Sequence, residues 1–240
     1  MKMETTVEKS RSFVASQLGE LKERRMHLRP RRAGPAVTIS HQTGAGAREI
    51  AERLARRLEE AAGEGGRAWT VFDRQLVEKA LEEHHLPAAL AKRMPEDGRA
   101  YVDDVMDELF GLRPPSWVLV PQVAETIARL AEVGCVILIG RGAAVVTSQM
   151  PNVFHVRLIA SLAKRVERVQ RLHGMTAREA ARFVAKEDRG RQRYVKTNFH
   201  TRLDDDLLYH LVINTDRIPC AEAAELIAHA ARRCFAGEPP

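Results

Sequence analysis

The sequence predicts an α/β domain, a five-stranded parallel sheet with helices on both faces. Three observations carry this expectation. Five short apolar or β-branched runs recur along the chain, segments with helical periodicity separate them, and one run, residues 136–139 (VILI), has no polar position at all. A strand that is apolar on both sides must be covered on both sides, as in parallel sheets. Helical crossovers between parallel strands supply that cover.

The elements follow in order. Residues 36–40 (AVTIS) read as a buried strand, and Thr43-Gly44-Ala45-Gly46 as a turn. A helix then runs from about Ala47 to Ala62 with Ile50, Leu54 and Leu58 on one stripe, ended by Gly63, Gly65 and Gly66. Residues 68–72 form a second strand, and Asp73 stands where it could cap a helix beginning Arg74-Gln75-Leu76. Pro87, Pro95, Pro114 and Pro115 break residues 86–116 into mixed helix and loop. Val120, Val123, Ala124, Ile127, Leu130 and Ala131 make the stripe of a helix leading into VILI. A strand at 153–159, a basic helix at 161–171 and an arginine-dense helix from about Thr176 to Tyr194 come next. A strand at 211–213 and a helix at 221–232 complete the series.

Composition narrows the function. The net charge of +6 suggests a nucleic-acid partner until it is located: residues 1–34 hold nine Lys/Arg against four Glu, so the rest is close to neutral. Residues 1–34 therefore read as a basic helical arm and linker, and 35–236 as the domain. Contact of the arm with nucleic acid or an acidic surface is a weak expectation. Aromatics at 5% leave few stacking platforms for single strands. No apolar run approaches a membrane span, and the charged start argues against a secretory signal, so a cytoplasmic protein is expected. Three scattered cysteines (Cys135, Cys220, Cys234) read as reduced thiols, and neither they nor the nine histidines have metal-site spacing. No G-x-S-x-G elbow supports a hydrolase.

In parallel sheets, ligands sit at the carboxyl ends of strands, and four segments there could carry chemistry. Thr43, Gly44, Ala45, Gly46, Ala47, Arg48 and Glu49 have the strand–glycine turn–helix order that aims N–H groups at a phosphate; the same order also serves as a tight turn that binds nothing. Asp73 and Arg74 follow a strand and could meet a sugar hydroxyl and a phosphate, or Asp73 could be only a cap. Arg141, between Gly140 and Gly142, suits bidentate phosphate binding, or an ion pair with a nearby carboxylate. Residues 186–194 (KEDRGRQRY) are a solvated charged face by default, yet locally positive in a near-neutral body.

Six segments in order resemble the cytidylate kinase-like family, nucleoside monophosphate kinases of the P-loop NTPase superfamily: TISHQTGAGAREIAERLA, VFDRQLVEKA, VILIGRGAAVV, IASLAKRVERV, KEDRGRQRY and YHLVINTDRIPCAEAAELI. The resemblance covers about residues 36–231. It implies a three-layer α/β/α fold and ATP- and Mg²⁺-dependent phosphoryl transfer to a nucleoside monophosphate, most naturally CMP. It implies an acceptor-binding insert within about 73–116 and an arginine-rich lid at about 186–203. It places Asp73, Arg74 and Arg141 at the acceptor, Arg165, Arg168 and Asp188 in support of the lid, and Arg189, Arg191 and Arg193 over the transferring group, with Arg48 beside them. Ala47 stands in the place of the P-loop lysine, Glu49 in that of the hydroxyl, and Lys186 and Gly190 in those of a lid arginine and aspartate. These departures motivate an alternative, a nucleotide-binding regulatory protein with weak or no turnover on the same fold.

Overall fold

The computed structural model describes residues 33–63, 66–73 and 116–237. Most of the arm and most of the expected insert, Arg74 included, lie outside the described residues. Five strands, β1 (Ala36–His41), β2 (Thr70–Phe72), β3 (Val136–Ile139), β4 (Val153–Ile159) and β5 (Leu211–Asn214), alternate with helices α1 (Ala47–Ala62), α2 (Ser116–Val133), α3 (Ala143–Val146), α4 (Leu162–His173), α5 (Ala177–Phe199) and α6 (Cys220–Ala236). The sheet is parallel in the order β2-β3-β1-β4-β5. Ala36 lies opposite Val136 on one side of β1 and Val153 on the other.

The alternation of side chains along β3 explains why VILI is wholly apolar. Ile137 and Ile139 enter one core with Ile50, Leu54 and Leu58 of α1 and Ala223, Ala224, Ile227 and Ala231 of α6. Val136 and Leu138 enter a second core with Phe72 and with Val123, Ile127 and Leu130 of α2. Each face of the strand thus meets its own helices, giving three layers. The alanine-rich face of α6 lets it lie close beside α1.

Polar groups also enter the sheet. Thr38, His155 and Thr147 are almost fully buried. Thr38 Oγ1 lies 2.7 Å from His155 Nδ1, and the His155 backbone N–H donates to His210 Nδ1 at 2.9 Å. The two imidazoles stack with centroids 5.2 Å apart. Burial, and then the neighbouring His210, lower His155 from its ordinary 6.5 to about 4, against an upward push from the Thr147 backbone.

The connection from β3 to β4 crosses β1, so the direction of winding reverses there. Such a reversal opens a crevice at the carboxyl ends of the strands. The end of β1, the end of β3 and helix α5 meet at that point.

Candidate active site

β1 ends at His41, and residues 42–46 turn the chain into α1. The turn depends on its glycines. Gly44 has φ 81°, and a Cβ there would sit 2.5 Å from the Arg165 carbonyl oxygen, so a side chain has neither the conformation nor the room. Gly46 (φ 86°) begins α1 without a side-chain cap, leaving first-turn N–H groups for another acceptor. The next link is in the carbonyls, three of which are taken in succession by side chains behind the loop. Arg165 Nη1 donates to Thr43 O at 3.4 Å, Arg168 Nη1 to Gly44 O at 3.3 Å, and Thr215 Oγ1 to Ala45 O at 3.1 Å. Arg168 is itself fixed by Thr215 Oγ1 at 2.8 Å and Thr215 O at 2.7 Å.

Helix α5 approaches the loop from the other side. It starts with a capping box between Thr176 and Glu179 and runs 23 residues without a break. Asp188 and Arg191, one turn apart, face the loop. Asp188 Oδ1 accepts the Thr43 backbone N–H and hydroxyl, each at 2.8 Å, and Arg191 Nη2, also at 2.8 Å. Its Oδ2 accepts Arg165 Nη1 at 2.5 Å. Arg191 further contacts the Thr43 hydroxyl. Burial raises the Asp188 carboxyl, but the Thr43 bonds, Arg191 and Arg165 outweigh it and hold the group below the ordinary carboxylate range. A carboxylate thus sits against a loop N–H group, between two guanidinium groups.

The third component is the end of β3. Gly140, Arg141 and Gly142 all have positive φ (74°, 54° and 71°). For an arginine this conformation is uncommon and strained, a feature that clusters at functional sites. Arg141 is buried and lines a cleft with Ser40, His41, Arg191, Tyr194 and Leu203. The cleft is narrow; its inner space of about 20 Å³ has room for one water molecule. Gly142 packs under Phe199, where a Cβ would come within 2.6 Å of the ring.

The sequence-expected residues divide accordingly. Thr43, Gly44, Gly46, Arg165, Arg168, Asp188 and Arg191 come together around the loop, and Arg191 also reaches the Arg141 cleft. Arg168 supports the loop directly at Gly44 O and through Thr215. Arg48 lies along α1, its Nε 3.1 Å from Glu52 Oε1, and Glu49 pairs with Arg53; Arg53 is half-buried and the other three are exposed. The i,i+4 geometry turns Arg48 toward the helix body, away from the N-terminus. Arg189 and Arg193 are exposed on α5, because residues two before and two after Arg191 cannot share its face. Ala47 is buried in the core, and Asp73 is half-buried just after β2.

Two supporting side chains, Arg157 on a strand and Tyr209 in a loop, have no local signature in the sequence. Ser40 and Tyr194 stand within the segments TISHQTGAG and KEDRGRQRY that the sequence singles out, and Tyr194 shares the Arg191 face by its three-residue spacing. Thr215 follows β5 in the Asn-Thr pair that the sequence does display.

This parallel sheet, with a glycine loop between its first strand and helix and cations converging on the strand ends, defines the P-loop kinase-like class. The chain belongs to the cytidylate kinase-like family, whose model matches residues 36–217. A crystal structure of an uncharacterized protein from Eubacterium ventriosum is similar over 82% of this chain and 98% of its own, with 16% identity and a TM-score of 0.61. Shikimate kinase from Bacteroides thetaiotaomicron is a more distant likeness, at 15% identity and a TM-score of 0.45 over 84% of this chain and 98% of that one. A uronate isomerase from Corynebacterium glutamicum is 32% identical over 99 residues, 41% of this chain; the match spans only 19% of that protein's length. No helix among the described residues is long and apolar enough to cross a membrane.

Proposed function

We propose that the chain transfers a phosphoryl group from ATP to a nucleoside monophosphate, with CMP the natural acceptor. The observation that supports this most directly is the position of Arg191, buried on α5, touching Thr43 of the loop and lining the cleft that holds Arg141. A guanidinium there stands between a donor phosphate on the loop and an acceptor phosphate at Arg141. In-line phosphoryl transfer asks for positioning and charge neutralisation and for little covalent chemistry. The loop N–H groups and the start of α1 hold the donor phosphates, Arg141 with Asp73 and Arg74 orients the acceptor, and Arg191 neutralises charge between them. Asp188 keeps Arg165 and Arg191 in place, and Arg189 and Arg193 come into range only on movement of α5.

Among the described residues, no group of three or more His, Cys, Asp or Glu side chains forms a metal cage. Mg²⁺ arriving on ATP would keep several waters and need only one or two carboxylates, and Glu49 of the first turn of α1, the nearest in sequence to the loop, would be the residue to hold it. Bound there, the ion would supply positive charge against the negative charge that develops during transfer.

A second reading, nucleotide binding without turnover, is favoured by Ala47 in the lysine place and by the pairing of Arg48 with Glu52. A coupled ADP-release assay with Mg²⁺ and CMP, UMP, dCMP or AMP separates the two. The expected result is turnover with at least CMP. A folded sample that binds nucleotide in calorimetry yet releases no ADP above background with any acceptor would establish the second reading.

A further inference from the structure

The hydrogen-bond directions around Ser40 point to a specificity element within the acceptor site. Ser40 ends the buried part of β1, opposite Arg157 in the register with β4, and both side chains are buried. Above them sits Tyr209, also buried, its hydroxyl 2.9 Å from Leu203 O, 3.1 Å from Ser40 Oγ and 3.4 Å from Arg157 Nη1. The Arg157 guanidinium also lies 5.5 Å from the centre of the Tyr209 ring.

A phenol has one proton to give, and a carbonyl can only accept. The shortest contact, to Leu203 O, takes the Tyr209 proton. The phenol oxygen then accepts from the Ser40 hydroxyl and, weakly, from Arg157. Each group is satisfied in this arrangement. In the reverse one, with Tyr209 donating to Ser40, the Leu203 carbonyl loses this donor.

With its proton turned toward Tyr209, Ser40 offers only lone pairs to the cleft that it lines with Arg141 and Arg191. Lone pairs repel phosphate oxygens, so they match a donor on the same ligand whose anion the arginines hold. In a nucleoside monophosphate the donors closest to the phosphate are the sugar hydroxyls; a base amine lies farther away. We propose that Ser40 is a specificity-determining residue that accepts a hydrogen bond from a sugar hydroxyl of the acceptor, with Tyr209 as the positioning residue that fixes its polarity. This rests on the nucleoside monophosphate reading above.

The test is calorimetric binding of CMP, 2′-deoxy-CMP, 3′-deoxy-CMP and UMP to the full chain, its Ser40→Ala variant and its Tyr209→Phe variant, with thermal melts confirming folding. The wild type should bind CMP about tenfold tighter than one of the deoxy forms, the loss expected for one unmade bond in a closed site. Both variants should bring that ratio to within about twofold while leaving the weaker ligand's affinity unchanged. A wild-type protein that binds CMP and both deoxy forms alike overturns the assignment, as does Ser40→Ala with the ratio intact. A change in the CMP-to-UMP ratio alone overturns it in favour of base contact. If the wild type binds none of the four, the nucleotide reading falls and takes this one with it, an outcome distinct from binding without discrimination.

Discussion

Arg141 is held at φ 54° between two glycines, a conformation that costs an L-residue about 1–2 kcal/mol. Glycine would adopt it freely, but gives up about 0.5–1 kcal/mol to the greater freedom of the unfolded chain. Arg141→Gly is therefore expected to change stability by no more than about 1 kcal/mol while lowering turnover on the order of 10³-fold, as for loss of one transition-state cation. Urea titration and the ADP-release assay check both halves; a stability loss beyond about 2 kcal/mol would mean that Arg141 serves mainly to hold the fold. At this scale the sequence displayed residue types better than their directions. The glycine-flanked Arg141 and the loop Thr43 to Gly46 were legible because their neighbours have no other use. Arg189, Arg191 and Arg193 looked equivalent, and only the phase of α5, set by Val184 and Val195 in the packed face, selects Arg191.

Helix α5 meets the site at three levels: Asp188 and Arg191 on the loop, Tyr194 at the cleft and Phe199 on Gly142. Periodicity foretold a helix here, but ended it near Tyr194. The last turn to Phe199 was not legible because its polar residues carry no stripe, and its end is set by His200 in a left-handed conformation. Gly142→Ala probes that turn. The new methyl would overlap the Phe199 ring in a backbone conformation (φ 71°) that alanine avoids. We expect a stability loss of about 2 kcal/mol and a higher KM for the acceptor with a smaller change in kcat, since the far end of α5 is displaced before the loop is. Urea titration and acceptor-dependence curves measure these quantities. A variant matching the wild type in both would show that α5 is not anchored at Gly142.

For the whole molecule, acid stability follows from groups buried in the sheet. His155 titrates at about 4 when folded against an ordinary 6.5, so between those values the unfolded chain binds a proton that the folded chain does not. Its contribution is complete above about pH 6.5 and falls as pH drops, by about 3 kcal/mol at pH 4. His210, also lowered by burial, acts in the same direction. Asp188, held below the ordinary carboxylate range, adds stability that is lost only further down, as pH falls through its folded value. Unfolding in urea at pH 7.5, 5.5 and 4.5 should show this decline, and His155→Gln should flatten it; an equal slope in the variant would assign the effect elsewhere. The layered architecture was legible from VILI and the helical stripes, whereas the strand order was not, because register and crossover depend on contacts between distant residues. One consequence concerns the loop carbonyls tethered to Arg165, Arg168 and Thr215. Because these tethers are made within the protein itself, the loop is pre-organised, and on the function proposed above little ordering entropy would be lost when a phosphate arrives. On that reading the residence time of a bound nucleotide should be set by α5, the roof of the site, and not by its floor.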